Sequence, residues 1–88
     1  MKIIIPQQFQ KITGSSEVTC VVENISGAIN GLCLMYPVLY NRIHDAQGNL
    51  NKFINIYVND EDIRFLGGIE TKLKLDDVIT LLPSIAGG

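Results

Sequence analysis

Asn24-Ile25-Ser26-Gly27-Ala28-Ile29-Asn30-Gly31-Leu32-Cys33-Leu34-Met35-Tyr36 is the stretch whose reading decides the fold. Apolar residues recur at Ile25, Ala28, Ile29, Leu32, Met35 and Tyr36, the i, i+3, i+4, i+7 spacing of one buried helical face. Asn24 is placed to cap that helix, its side-chain oxygen accepting from a backbone N–H two or three residues on. Gly27 and Gly31 oppose the helix by roughly 1 kcal/mol each against Ala. Asn30-Gly31 is also a hairpin-turn dipeptide. The helical period runs straight through that dipeptide, so a helix over 24–36 is preferred, ended by Pro37, with room for a short second helical turn through Arg42. Residues 24–41 carry no charge, yet a membrane span needs ~20 mostly apolar residues. Ser26, Gly27, Asn30, Gly31 and Pro37 interrupt this stretch, which makes it a buried helix instead.

Strands flank the helix on both sides. Ile3, Ile4 and Ile5 are β-branched and stop at Pro6. After the turn residues Gly14-Ser15-Ser16, the run Glu17-Val18-Thr19-Cys20-Val21-Val22 reads as an antiparallel partner of the first strand. Residues 7–13 between them are read as an extension of the first strand. Beyond the helix, Asp45-Ala46-Gln47-Gly48-Asn49 is a loop, and Phe53-Ile54-Asn55-Ile56-Tyr57-Val58 is a strand. Asn59-Asp60-Glu61-Asp62 is an acidic turn. Residues 63–66 form a short helical or extended connector, ended by Gly67-Gly68, a tight turn needing positive φ. Asp76-Asp77 is a further turn, and Val78-Ile79-Thr80-Leu81-Leu82-Pro83 is the last and most apolar strand. The order predicts an α+β domain, a mixed sheet with one main helix across one face. That order fits the β-grasp architecture. The folded domain is expected over residues 1–83, with 84–88 as an extended, flexible C-terminal Gly-Gly tail.

Composition narrows the function. At 88 residues the chain is one domain with a thin core. Its 47% hydrophobic and 18% charged residues exclude intrinsic disorder. A net charge of -2 gives no basic footprint, so no nucleic-acid partner is expected. No signal-peptide pattern opens the chain, and a cytoplasmic protein without a membrane partner is the expectation.

Catalytic motifs are missing: there is no phosphate-binding loop, HExxH, GxSxG or GxGxxG. His44 is the only histidine and reads as a solvated loop-edge residue rather than a general base. Cys20 alternates with Val18 and Val22 on one strand face, and Cys33 sits beside Leu32 on the helix. Both read as buried free thiols, because reactive cysteines need an electropositive, partly exposed site. Asp60-Glu61-Asp62 lacks the spacing of a calcium loop, and Asn24-Ile25-Ser26 matches a glycosylation pattern only formally. No catalytic side chain, no metal and no bound cofactor are expected.

The distinctive feature is the terminus. A strong strand leads through Pro83 to Gly87-Gly88. Six residues from Pro83 reach roughly 20 Å beyond the sheet when extended. Two residues without side chains can thread a narrow channel. The free α-carboxylate on Gly88 is then the one distinctive reactive group. Such a carboxylate becomes an acyl donor once it is a mixed anhydride with AMP, after which a sulfur nucleophile converts it to a thiocarboxylate.

The chain resembles the MoaD/ThiS family of ubiquitin-like sulfur carriers. The match is carried by Phe53-Ile54-Asn55-Ile56-Tyr57-Val58-Asn59-Asp60-Glu61-Asp62-Ile63-Arg64-Phe65, Gly67-Gly68 and Leu82-Pro83-Ser84-Ile85-Ala86-Gly87-Gly88, with Tyr36-Pro37 after the helix. Residues 55–65 are most similar to the CysO-like branch, which feeds a cysteine synthase. The small subunit of molybdopterin synthase is the alternative within the family. A ubiquitin-like modifier forming isopeptide bonds is the alternative outside it. The resemblance implies a carrier that is not itself an enzyme. It implies an E1-like adenylating enzyme that uses ATP, and a sulfur-accepting enzyme, either cysteine synthase-like or the molybdopterin synthase large subunit. It assigns adenylation and thiocarboxylate formation to Gly88 and the channel-fitting role to Gly87. Leu82, Pro83, Ser84, Ile85 and Ala86 become partner contacts.

Overall fold

The computed structural model describes residues 1–84. It contains, in chain order, β1 (Lys2–Ile4), α1 (Gln7–Thr13), β2 (Glu17–Thr19), α2 (Ile25–Met35), α3 (Tyr40–Ile43), β3 (Ile54–Val58), β4 (Glu61–Asp62) and β5 (Val78–Pro83). Short 3-10 turns cover Pro37–Leu39, Ile63–Phe65 and Gly68–Glu70. The sheet order is β2-β1-β5-β3-β4. β1 and β5 are parallel, and the other neighbours are antiparallel. This is the expected mixed sheet with a helical layer on one face.

Helix α2 forms as its period predicts. The Asn24 side chain accepts from the Gly27 backbone N–H at 2.9 Å. Ile25, Ala28, Ile29 and Leu32 are buried against Ile3, Ile56, Ile79 and Leu81 of the sheet's inner face. Met35 departs from the expected face and is 59% exposed. It occupies the last residue of the helix, where the chain already turns toward Pro37. The second helical turn beyond Pro37 is present as the 3-10 turn and α3, which bury Leu39 and Ile43.

Four expectations are corrected. Residues 7–13 do not extend the first strand; they form helix α1. Pro6 lacks a backbone N–H and sits at the cap, Phe9 and Thr13 face the core four residues apart, and Gly14 ends the helix at φ 69 with its N–H on the Gln10 carbonyl. The helical layer is therefore α2 supported by α1 and α3, not α2 alone. The acidic turn is shorter than expected. Asn59 and Asp60 take φ 49 and 72, the geometry of a two-residue hairpin, and Glu61–Asp62 pair with Tyr57 and Val58 as β4. The strand expected over 17–22 ends at Thr19, although Cys20 still exchanges bonds with Met1. In the 67–68 turn only Gly68 has positive φ, at 60.

Asp77, expected in an open turn, is buried and clasps two loops together. One carboxylate oxygen accepts from the Lys74 backbone N–H at 2.8 Å, and the other accepts from Asn59 Nδ2 at 2.8 Å. Asn59 Oδ1 in turn accepts from the Val78 N–H. The Lys74 bond first, then the Asn59 bond, holds the Asp77 carboxyl below its usual range. A depressed folded-state pKa stabilises the protein above the unfolded value of about 3.9, and that stabilisation is lost as pH falls through the lower folded value. Asp77→Asn should therefore cost about 1–3 kcal/mol at pH 7, and its melting temperature should fall less than the parent's below about pH 4. Parallel acid titrations of the melting temperature check this.

Candidate functional site: the outer sheet face and the root of the tail

Alternation along β5 buries Ile79 and Leu81 and turns Thr80 and Leu82 to the sheet's outer face, with Leu82 half exposed. On β3, Ile56 and Val58 face inward while Asn55 and Tyr57 face outward. The register places Tyr57 beside Thr80 and Asn55 beside Leu82, and Ile4 flanks Thr80 from β1. Among the described residues no helix covers this face, because α1, α2 and α3 all contribute to the core on the other side. Phe65, 85% exposed, shares a hollow with Tyr57 beside it.

The end of β5 is held to its limit. Pro83, which has no N–H to donate, pairs in register with Ile54, and the Ser84 N–H donates to the Phe53 carbonyl at 2.6 Å. Leu82, Pro83 and Ser84 thus lie together at one end of the third strand of the sheet. Ile85, Ala86, Gly87 and Gly88 lie outside the described residues.

Beside this root stands a polar cluster that the sequence does not announce. Arg64 Nε donates to both Asp62 carboxylate oxygens at 3.1 and 3.2 Å. Its Nη2 donates to Asp62 Oδ2 at 2.6 Å and to Asn55 Oδ1 at 2.7 Å. The Asp62 carboxylate also accepts from the Arg64 backbone N–H at 2.8 Å. The Arg64 side-chain bond first, then its backbone bond, holds the Asp62 carboxyl below its usual range, and the same contact raises Arg64.

The remaining candidates are structural. His44 is half buried rather than fully solvated: its ring stacks on Tyr40 at 4.2 Å between centroids, and Nδ1 lies 3.0 Å from the Tyr40 carbonyl. Cys33 is buried, which pushes its thiol pKa up, and Cys20 packs half buried with Val18 and Val22 against the core. Both cysteines are free. Cys33→Ser, alone or with Cys20→Ser, should lower the melting temperature, because it buries a hydroxyl among apolar side chains; a melting curve like the parent's would contradict that packing. Among the described residues, no helix is long and apolar enough to cross a membrane.

A β-grasp domain with an uncovered sheet face and a strand that feeds a Gly-Gly terminus defines the class of ubiquitin-like carriers. The chain belongs to the ThiS family, which matches residues 3–88. It is 39% identical over 77 residues to the sulfur carrier protein CysO of Mycobacterium tuberculosis, covering 85% of this chain and 83% of that one. In the crystal structure of the Amycolatopsis orientalis BexX/CysO complex, a chain 34% identical superposes with a TM-score of 0.87 over 99% of this chain and 98% of that one. Small archaeal modifier protein 1 of Methanosarcina acetivorans is 30% identical, with a TM-score of 0.90 over 99% of this chain and 94% of that one.

Proposed function

We propose that the protein carries sulfur as a C-terminal thiocarboxylate and delivers it in cysteine biosynthesis. Membership of the ThiS family, whose match over residues 3–88 takes in Gly87-Gly88, supports this reading most strongly. An E1-like enzyme presents ATP to the Gly88 carboxylate. A carboxylate oxygen attacks the α-phosphorus, pyrophosphate leaves, and an acyl-adenylate forms. Sulfide-level sulfur from a donor then attacks the carbonyl carbon and displaces AMP, leaving the thiocarboxylate.

The body of the protein contributes recognition and reach. Gly88 lies four residues beyond Ser84, so its carbonyl group reaches at most about 14 Å from the last ladder bond. Gly87 and Gly88 let that segment pass a channel too narrow for a side chain. Leu82, Pro83, Ser84, Ile85 and Ala86 make the contacts on the way in. The outer sheet face around Tyr57, Thr80 and Leu82 meets the partner's surface. The protein is a cosubstrate, and none of its side chains takes part in the chemistry.

The acceptor is tested with purified thiocarboxylated protein. Given an O-activated serine, a cysteine synthase-type enzyme should bond the carrier's sulfur to the serine β-carbon as the activating group leaves, and hydrolysis of that adduct should release cysteine and return the carrier to its unmodified mass. Transfer only to a molybdopterin synthase large subunit would move the protein to the other branch. The likeness to a small archaeal modifier protein favours a second reading, attachment through Gly88 to lysines of other proteins. That reading predicts adducts with the mass of a whole second protein.

A further inference from the structure

Charge is divided unevenly along β3. Its hairpin end carries Asp60 and Glu61, both exposed. The other end, where β5 releases the chain, carries Lys52 and Arg64. These two line the same hollow, which also reaches Ile54 and Ile56. Lys52 Nζ sits 5.3 Å from the centre of the Phe53 ring, whose carbonyl holds Ser84. Arg64 sits on Asn55, directly across from Leu82. Asn55 and the Asn59-Asp60 turn are four residues apart on one strand, roughly 13 Å. That exceeds the screening length of about 8 Å at physiological salt. Asp62 lines the same hollow and pairs with Arg64, so the root of the tail keeps one net positive charge, on a protein of net charge -2.

Arg64 is unusual for a surface arginine. Its side chain is 63% exposed, yet four side-chain bonds to Asp62 and Asn55 fix the guanidinium plane. Among the described residues, Nη1 makes no bond. A long side chain ordinarily loses rotamer freedom when a partner grips it. Here that freedom is already lost in the free protein, so engagement costs less. Exposed Phe65 and Leu82 lie on either side of this position in sequence and register, and can exclude water from a contact made there.

We propose that Arg64, with Lys52 beside it, is the anchor by which the activating enzyme recognises the folded body, pairing with carboxylates at the mouth of that enzyme's channel. The inference rests on the sulfur-carrier reading. It concerns activation because the substrate is then an ordinary glycine carboxylate, which any chain ending in glycine presents. Discrimination at that step must come from the body. With Nε and Nη2 engaged by Asp62 and Asn55, Nη1 keeps its N–H donors for a partner carboxylate, and Lys52 offers a second cation to the same group.

The test is ATP–pyrophosphate exchange with the cognate activating enzyme, using the full-length protein. Arg64→Ala should raise KM for the carrier by roughly 10–100-fold with kcat little changed. Arg64→Lys should recover only part of this, since an ammonium cannot hold Asp62 and Asn55 and still offer a planar edge. Lys52→Ala should raise KM more modestly, and the parent's KM should rise with salt more steeply than that of either variant. Melting curves accompany each variant. Should Arg64→Ala unfold, Arg64→Gln keeps an amide donor for Asp62 and reads the same KM. A folded variant at position 64 with the parent's KM and salt dependence overturns the anchor alone. A parent that supports no exchange overturns the carrier reading, and the anchor with it.

Discussion

Removing Gly88 should abolish efficient adenylation while leaving the melting temperature unchanged. The shortened chain still ends in a glycine carboxylate, but one set back by roughly 3.4 Å. Reacting atoms must come within roughly 3–3.5 Å, and a 1 Å misplacement can cost 10²-fold. The register of Pro83 on Ile54 and the Ser84 ladder bond fix the start of the tail, so the body cannot slide forward without giving up β5 pairing. Pyrophosphate exchange should therefore fall by roughly 10²-fold or more. Adding one Ala after Gly88 should fail comparably, because it moves the carboxylate and places a methyl group in the channel. If both altered tails exchange like the parent, Gly88 is not the working residue.

The second large effect lies in the core. Leu32 is 2% exposed at the centre of the α2 face that meets the sheet. Leu32→Ala should cost about 2–5 kcal/mol, a large share of the roughly 5–15 kcal/mol that holds a domain together. At about 4–8 °C per kcal/mol for a domain of this size, the melting temperature should fall by roughly 10–30 °C. Leu34→Ala is the internal control. Leu34 lies two residues away on the same helix but is 82% exposed, so its truncation should stay within about 0.5 kcal/mol. Equal costs at the two positions would contradict the assigned helical face.

Both effects are legible in the sequence because each depends on a local pattern. The period from Ile25 to Leu32 names the buried face, and the strands over β1, β3 and β5 follow from β-branched runs. Helix α1 is not legible in this way. Its seven residues hold only one period of burial, Phe9 to Thr13, and three glutamines conceal it. β4 escapes because two residues give no alternation to read, and its turn is Asn59-Asp60 rather than the commoner Asn-Gly. Asp77 looks like a turn residue until Asn59, eighteen positions earlier, folds against it.

The site divides along the same line. Leu82, Pro83 and the Gly-Gly terminus are visible as an ordered strand that ends in small residues. The Asn55–Arg64–Asp62 cluster is not, because it joins two strands and a 3-10 turn. Its one local trace is the Asp62-x-Arg64 spacing, which places the Arg64 N–H on the Asp62 side chain at the start of that turn. Asn55 enters only through the pairing of β3 with β4.

The most direct measurement of the central claim is the intact mass of the protein after incubation with its activating enzyme, ATP and a sulfur donor. The carrier account predicts a gain of about 16 Da, sulfur in place of one oxygen of the Gly88 carboxylate, dependent on ATP and absent after Gly88 is removed. An unchanged mass, in a preparation where the same enzyme and donor load another carrier, would contradict it.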